Sequence, residues 1–208
     1  MRVAVIGTGS VGRTLTDGFR RVGHDVVVGT RDVEETRTRE EWSDEEALMR
    51  FGEAGDGADL VVNATSGNVS AAALSQVDLD GKVLLDVANP LDFSQGFPPT
   101  LSVKDTDSLA EQLQRTFPQA RVVKSLNTVN AAVMVDPAKL PAESTIFLAG
   151  DDAEARALVR GLLTELGWVD VVEFDSLDAA RGLEMWLPLW VRLMRNLGTA
   201  DFNVKLVR

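Results

Sequence analysis

The chain has 208 residues, 45% of them hydrophobic, no cysteine, and a formal net charge of −11. That length and apolar share suit one large domain, or one with a small appendage, around a real core. The missing cysteines exclude disulfides, thiolate nucleophiles and cysteine-held metals, and 32 acids against 21 bases with no basic run argue against nucleic acid as a partner.

In chain order, residues 2–6 form a short apolar run that stops at glycine, the mark of a buried strand. Residues 10–22 follow with Val11, Leu15, Phe19 and Val22 at helical spacing, and Gly23 stands where a helix ends. A second strand is predicted over 25–28. This β-turn-α-β opening within about 30 residues is the unit of a dinucleotide-binding half. The spacing then predicts a helix over 45–51, a strand over 60–63, a short helix over 70–74, a strand over 82–87, a helix over 108–117, and strands over 121–124 and 145–149. A strong helix over 153–166 leads to a strand over 169–174. A long helical segment over 177–197 carries Trp186, Trp190, Leu193 and Leu197 on one face and is interrupted at Pro188. Residues 202–207 alternate like a terminal strand.

Alternating strands and helices point to an α/β fold: a Rossmann-type, doubly wound, mainly parallel sheet with a small C-terminal helical cap. The expected division is 1–150 as a dinucleotide-binding domain and 151–208 as an extension that completes the sheet and caps an acceptor pocket. No segment nears the roughly 18 apolar residues that span a bilayer, so no membrane partner is expected. The first residues run straight into a strand, too short a lead for a signal peptide, and a cytoplasmic protein is expected.

Gly7-Thr8-Gly9-Ser10-Val11-Gly12 matches G-x-G-x-x-G, and here it follows a strand and opens a helix. The pattern supplies a tight turn, a backbone that a pyrophosphate can approach, close helix–strand packing, and unpaired N–H groups at a helix start. The second strand ends Val28-Gly29-Thr30-Arg31, without the acid that binds the ribose 2′-hydroxyl in NAD sites. Thr30 offers a hydroxyl and Arg31 a charged fork suited to a 2′-phosphate, with Arg37 as a second charge. This favours NADP(H), while Asp32 would serve a ribose hydroxyl if the turn were offset by two residues.

Three further strand ends carry amides and hydroxyls: Asn63-Ala64-Thr65-Ser66-Gly67-Asn68, Asn89-Pro90-Leu91 and Ser125-Leu126-Asn127-Thr128. In open α/β sheets ligands sit at such ends. No acid–base machinery stands out. The only histidine, His24, lies at the turn between the first helix and the second strand, on the wrong side of the sheet for catalysis, and there is no tyrosine for a proton relay. Hydride transfer needs alignment in a dry pocket more than an acid or base. The Trp186–Trp190 face reads as a wall for a flat ring or, more readily for an apolar stripe, as core or dimer interface.

The glycine loop, Gly29-Thr30-Arg31, Asn89-Pro90-Leu91, Val123-Lys124-Ser125-Leu126-Asn127-Thr128, Gly150-Asp151-Asp152, Ala180-Arg181-Gly182-Leu183-Glu184 and the Phe202-Asn203 ending together resemble the NADPH-dependent coenzyme F420 reductases (F420H2:NADP oxidoreductases). The resemblance runs nearly end to end. It implies a small-molecule redox enzyme, often a homodimer, that passes hydride between NADP(H) and the deazaflavin coenzyme F420. It would put the dinucleotide on the glycine loop, Thr30, Arg31, Ala64 and Thr65. The deazaflavin would lie near Asn89, Pro90, Leu91 and Asn127, with Asn127 the candidate positioning residue. The alternatives are an NADPH-dependent reductase of a flavin, imine or other small molecule, and a non-catalytic NADP(H) sensor.

Overall fold

The computed structural model describes residues 1–42 and 47–207. The elements are β1 (Arg2–Ile6), α1 (Ser10–Arg21), β2 (Asp25–Thr30), α2 (Val33–Arg37), β3 (Leu48–Arg50), α3 (Phe51–Gly55), β4 (Leu60–Asn63), α4 (Ser70–Leu74), β5 (Val83–Asp86), β6 (Leu91–Asp92), β7 (Thr100–Leu101), α5 (Leu109–Thr116), β8 (Arg121–Ser125), α6 (Ala131–Val135), β9 (Thr145–Gly150), α7 (Ala153–Glu165), β10 (Asp170–Phe174), α8 (Ala180–Met185) and α9 (Leu187–Leu197).

Eight strands form one sheet in the order β10-β9-β8-β5-β4-β1-β2-β3. Strands β3-β2-β1-β4-β5-β8 are mutually parallel and follow the order of a dinucleotide-binding sheet. Strand β9 joins β8 antiparallel, and β10 runs parallel to β9. The inner strands read as continuous apolar runs because both faces are covered. On one face Leu15 and Phe19 of α1 pack with Val133 of α6 and Leu162 of α7; on the other, Phe51, Leu74 and Leu113 come from α3, α4 and α5. Caps set where helices begin: Ser108 accepts from Glu111 N–H at 3.1 Å, and Asp152 from Ala155 N–H at 2.7 Å. Pro188 stands in the first turn of α9, where a missing N–H costs little, so the predicted interruption is the α8–α9 junction.

Two expectations fail. The helix over 45–51 falls partly outside the described residues; of the rest, 48–50 are strand β3. Leu48 and Met49 pair with Val28 and Gly29 of β2, a long-range contact that overrides helical spacing. The tail over 202–207 is not a strand. It lies against the start of β9 through Thr145 N–H to Val204 C=O at 2.8 Å and an Asn203 amide donating to Thr145 C=O at 2.9 Å. No helix among the described residues is long and apolar enough to cross a membrane.

Candidate functional site

The carboxyl ends of β1, β2, β4, β5 and β8 open onto two crevices that meet at Thr65. The first, about 330 Å³, is lined by Gly7 and Thr8, by Thr30, Arg31, Asp32, Glu35, Thr36 and Arg39 at the end of β2, and by Phe51, Thr65, Val69, Ala72, Ala73 and Gln76. The glycine loop between β1 and α1 is packed against backbone. A Cβ on Gly12 would lie 2.1 Å from the Gly7 carbonyl oxygen, and one on Gly7, at φ +123°, would lie 2.6 Å from that of Ala64. Beside Gly9 the space is open, and α1 begins with no acid in its first turn. Free N–H groups, a positive helix end and room for a phosphate therefore coincide, so the crevice suits a dinucleotide.

The end of β2 sorts its side chains. Arg31 is exposed, lines the crevice, and has no charged partner among the described residues. Thr30 is buried, its hydroxyl 2.7 Å from that of Thr36. It braces the crevice floor from within. Asp32 caps α2 by accepting from Glu35 N–H at 2.9 Å. The carboxylate that would have served a ribose is thus engaged at its own helix. Arg37 lies outside the crevice and pairs with Glu34 at 3.6 Å. The second guanidinium in the crevice is Arg39, which sequence reasoning passed over.

The second crevice, about 240 Å³, is floored by Ala64, Val87, Ala88 and Asn127. Its sides come from Val11, Asn89, Leu91, Phe93, Met134, Leu187 and Trp190. Asn89 and Asn127 bind each other reciprocally: the Asn127 amide donates to Asn89 Oδ1 at 2.9 Å, and the Asn89 amide to the Asn127 carbonyl at 3.0 Å. The Asn127 amide also donates to Leu183 C=O of α8 at 3.0 Å. The turn before it is forced, with Leu126 buried at φ +62°. Pro90 turns its carbonyl to Ser102, and the two residues beside it, Asn89 and Leu91, line the crevice. Asn127 Oδ1 and Trp190 Nε1, both of residues that line it, are buried without a hydrogen-bond partner among the described residues. An unsatisfied acceptor and donor on an apolar slot fit a flat ring with polar edges. Trp190 stacks on Phe202 at 5.3 Å and Trp186 donates to Thr128 C=O at 3.2 Å, so both rings are fixed by the chain, and Trp190 also lines the crevice. Trp190 and Phe93 supply the aromatic walls that residues 65–69 lack.

Beneath the crevices Lys124 sits fully buried, 2.7 Å from Asp86 and 2.9 Å from Glu184, and donates to Ala88 C=O. Burial alone would lower its pKa, but Asp86 and Glu184 more than reverse that and hold it above the ordinary lysine range. Burial pushes the Glu184 carboxyl above the ordinary carboxylate range against the pull of Lys124. Asp86 in turn accepts from the Asn63 amide at 2.8 Å, and Asn63 Oδ1 accepts the Thr65 hydroxyl at 2.7 Å. Glu184 takes the N–H groups of Leu109 and Ala110 at the start of α5. This chain of contacts fixes the floor of both crevices to the cap. His24, 2.8 Å from Glu165, precedes β2 at the amino ends of the strands, away from both crevices.

Residues 2–90 match the family model described as NADP oxidoreductase coenzyme F420-dependent. The fold is similar to the crystal structure of a candidate F420-dependent NADP reductase from Arthrobacter sp. FB24, with a TM-score of 0.97, 49% identity and complete coverage of both chains. The sequence is 26% identical to the F420-dependent NADP reductase of Methanothermobacter marburgensis over 98% of this chain and 99% of that one. It is 26% identical to the enzyme of the same name from Methanocaldococcus jannaschii, covering 93% and 92%.

Proposed function

The chain belongs to the family of F420-dependent NADP reductases, and from that premise we propose how its two crevices divide the work of moving a hydride between NADP(H) and coenzyme F420. One observation carries the division: the crevices open side by side across the strand ends and share Thr65. When bound, the two cofactors supply all the redox chemistry, a hydride leaving the reduced nicotinamide for the deazaflavin with one proton taken up from solvent. The protein aligns them and excludes water.

In this reading Thr8, Gly9, Ser10, Val11 and Gly12 turn the loop and its helix start toward the pyrophosphate, while Gly7, whose N–H donates to Gly29 C=O at 3.0 Å, makes the tight turn that places them. Arg31 meets the 2′-phosphate over the floor braced by Thr30, and Ala64 with Thr65 flanks the nicotinamide. Asn89, Pro90, Leu91 and Asn127 frame the deazaflavin, with Asn127 Oδ1 and Trp190 Nε1 offered to its polar edge. Residues 1–150 act as the dinucleotide half and 151–208 as the extension that closes the acceptor side. The open, apolar character of the second crevice favours a deazaflavin over a small polar substrate or a sensor. The cysteine-free composition suits a reducing cytoplasm. A homodimer is part of the proposal: Met185 of α8 and Leu189 and Leu197 of α9 are 39%, 50% and 53% exposed, large apolar side chains that a second copy would cover.

The test is a steady-state assay with NADPH and oxidised F420, following loss of deazaflavin absorbance. Turnover with NADPH that largely fails with NADH, and Arg31→Ala weakening NADPH far more than NADH, are expected. Binding of NADPH by calorimetry without turnover would reject F420 as acceptor, and equal losses for the two nucleotides in Arg31→Ala would reject the 2′-phosphate assignment.

A further inference from the structure

We propose that Arg39 is the second guanidinium that reads the 2′-phosphate, and that Glu35 is a weak competitor for it that the phosphate displaces. The inference rests on the NADP(H) reading of the first crevice and adds a residue to it.

Arg39 lines the same crevice as Arg31. Its Nη1 donates to the Thr8 hydroxyl in the glycine loop at 3.1 Å, which sets one edge of the fork beside the pyrophosphate path. Its Nη2 lies 3.7 Å from Glu35 Oε1, too far for a hydrogen bond. A guanidinium has five N–H donors in a fixed fork, so most remain available to an anion. The Glu35 side chain is 58% exposed, and an exposed ion pair of that length is a weak competitor for a phosphate dianion.

The chain around Arg39 is anchored rather than loose. Its own N–H donates to Thr36 C=O at 3.1 Å, and its carbonyl accepts from Trp42 N–H at 2.9 Å. The Trp42 ring is buried against Val28 and Leu48, and its indole N–H donates to Thr8 C=O at 3.2 Å. Arg13 lies over that ring at 5.2 Å. Thr8 is thus held by two residues of the strap after α2, its hydroxyl by Arg39 and its carbonyl by Trp42. The strap ties the ribose end of the crevice to the phosphate loop, and Arg39 is the cation of its residues 38–42. Arg37, two residues earlier, faces away and is paired with Glu34.

Calorimetric titration with 2′,5′-ADP and 5′-AMP, which differ only in the 2′-phosphate, tests this without turnover. Arg39→Ala is expected to lose about tenfold in 2′,5′-ADP affinity and to leave 5′-AMP unchanged. Glu35→Gln, which spares the backbone N–H that Asp32 caps, should tighten 2′,5′-ADP by about two- to threefold. Arg37→Ala should change neither ligand, and Arg39→Lys, which keeps the charge without the fork, should fall between wild type and Arg39→Ala. Equal weakening of both ligands by Arg39→Ala would reduce Arg39 to a prop for Thr8 and overturn the proposal. So would a loss in Arg31→Ala alone, with the NADP(H) reading left standing. A wild-type protein that does not prefer 2′,5′-ADP would remove both readings together.

Discussion

Replacing Lys124 by Met removes the one cation of a buried triad while keeping its length. Asp86 and Lys124 are fully buried and Glu184 is 1% exposed. The substitution leaves two carboxylates facing an apolar side chain, the circumstance in which breaking a buried pair costs about 3–5 kcal/mol. With an m-value near 2 kcal/mol/M for a chain of this size, the urea midpoint falls by roughly 1.5–2.5 M. Glu184→Gln alone costs less, about 1 kcal/mol, because Lys124 keeps Asp86 and the amide oxygen still accepts one N–H of α5. The double variant Lys124→Met/Glu184→Gln regains part of the loss, with a coupling of about 1–3 kcal/mol. Urea unfolding followed by far-ultraviolet circular dichroism gives all three midpoints. If Lys124→Met were no worse than Glu184→Gln, the lysine would not be the group that neutralises the triad. Because Asp86 braces Asn63 and Glu184 belongs to the cap, F420 affinity should also fall further than NADPH affinity in the single lysine variant.

Gly12→Ala would put its Cβ 2.1 Å from the Gly7 carbonyl oxygen, so helix and loop must separate. NADPH affinity by fluorescence titration is expected to drop by more than about tenfold while F420 affinity changes little; an unchanged NADPH affinity would contradict the packing described. The Arg181 guanidinium, with its hydrogen bonds at 2.5 and 2.9 Å, holds the Glu111 carboxyl below the ordinary carboxylate range. A lowered folded pKa stabilises above the unfolded value and fades as pH falls through the folded one. Wild type should therefore exceed Glu111→Gln in denaturant midpoint at pH 7, and the difference should shrink steadily below about pH 4.5. Sedimentation velocity should show the proposed dimer for wild type and a monomer for Leu189→Asp, a change at an exposed position of α9 with little effect on melting temperature; a monomeric wild type would reject the dimer.

Much of the dinucleotide half was legible because its signals are local. The glycine spacing of 7–12, the helical run behind it and the acid-free end of β2 all lie within about 30 residues. Strand β3 was not legible, since residues 48–50 are a strand only through their pairing with β2 at the sheet edge. Asp32 was weighed as a ribose ligand, although Asp-x-x-Glu before a short helix is a capping signal, and the structure uses it so. Arg39 and Arg37 are indistinguishable in sequence, and only the turn of α2 points one into the crevice and the other out. Lys124 left a trace, a charged residue inside an apolar strand, but its partners come from 38 and 60 positions away and could not be paired from spacing.

Thr65 belongs to both crevices, and its hydroxyl is turned away from them, toward Asn63 and Ser70. Two guests seated side by side would then meet across a methyl group and a backbone edge, without a layer of protein between them. Each guest becomes part of the other's binding surface. Selectivity on the acceptor side is for this reason a property of the loaded protein: trimming or enlarging the group at position 65 would retune both partners at once, and a redesign of either pocket in isolation would be answered by the other.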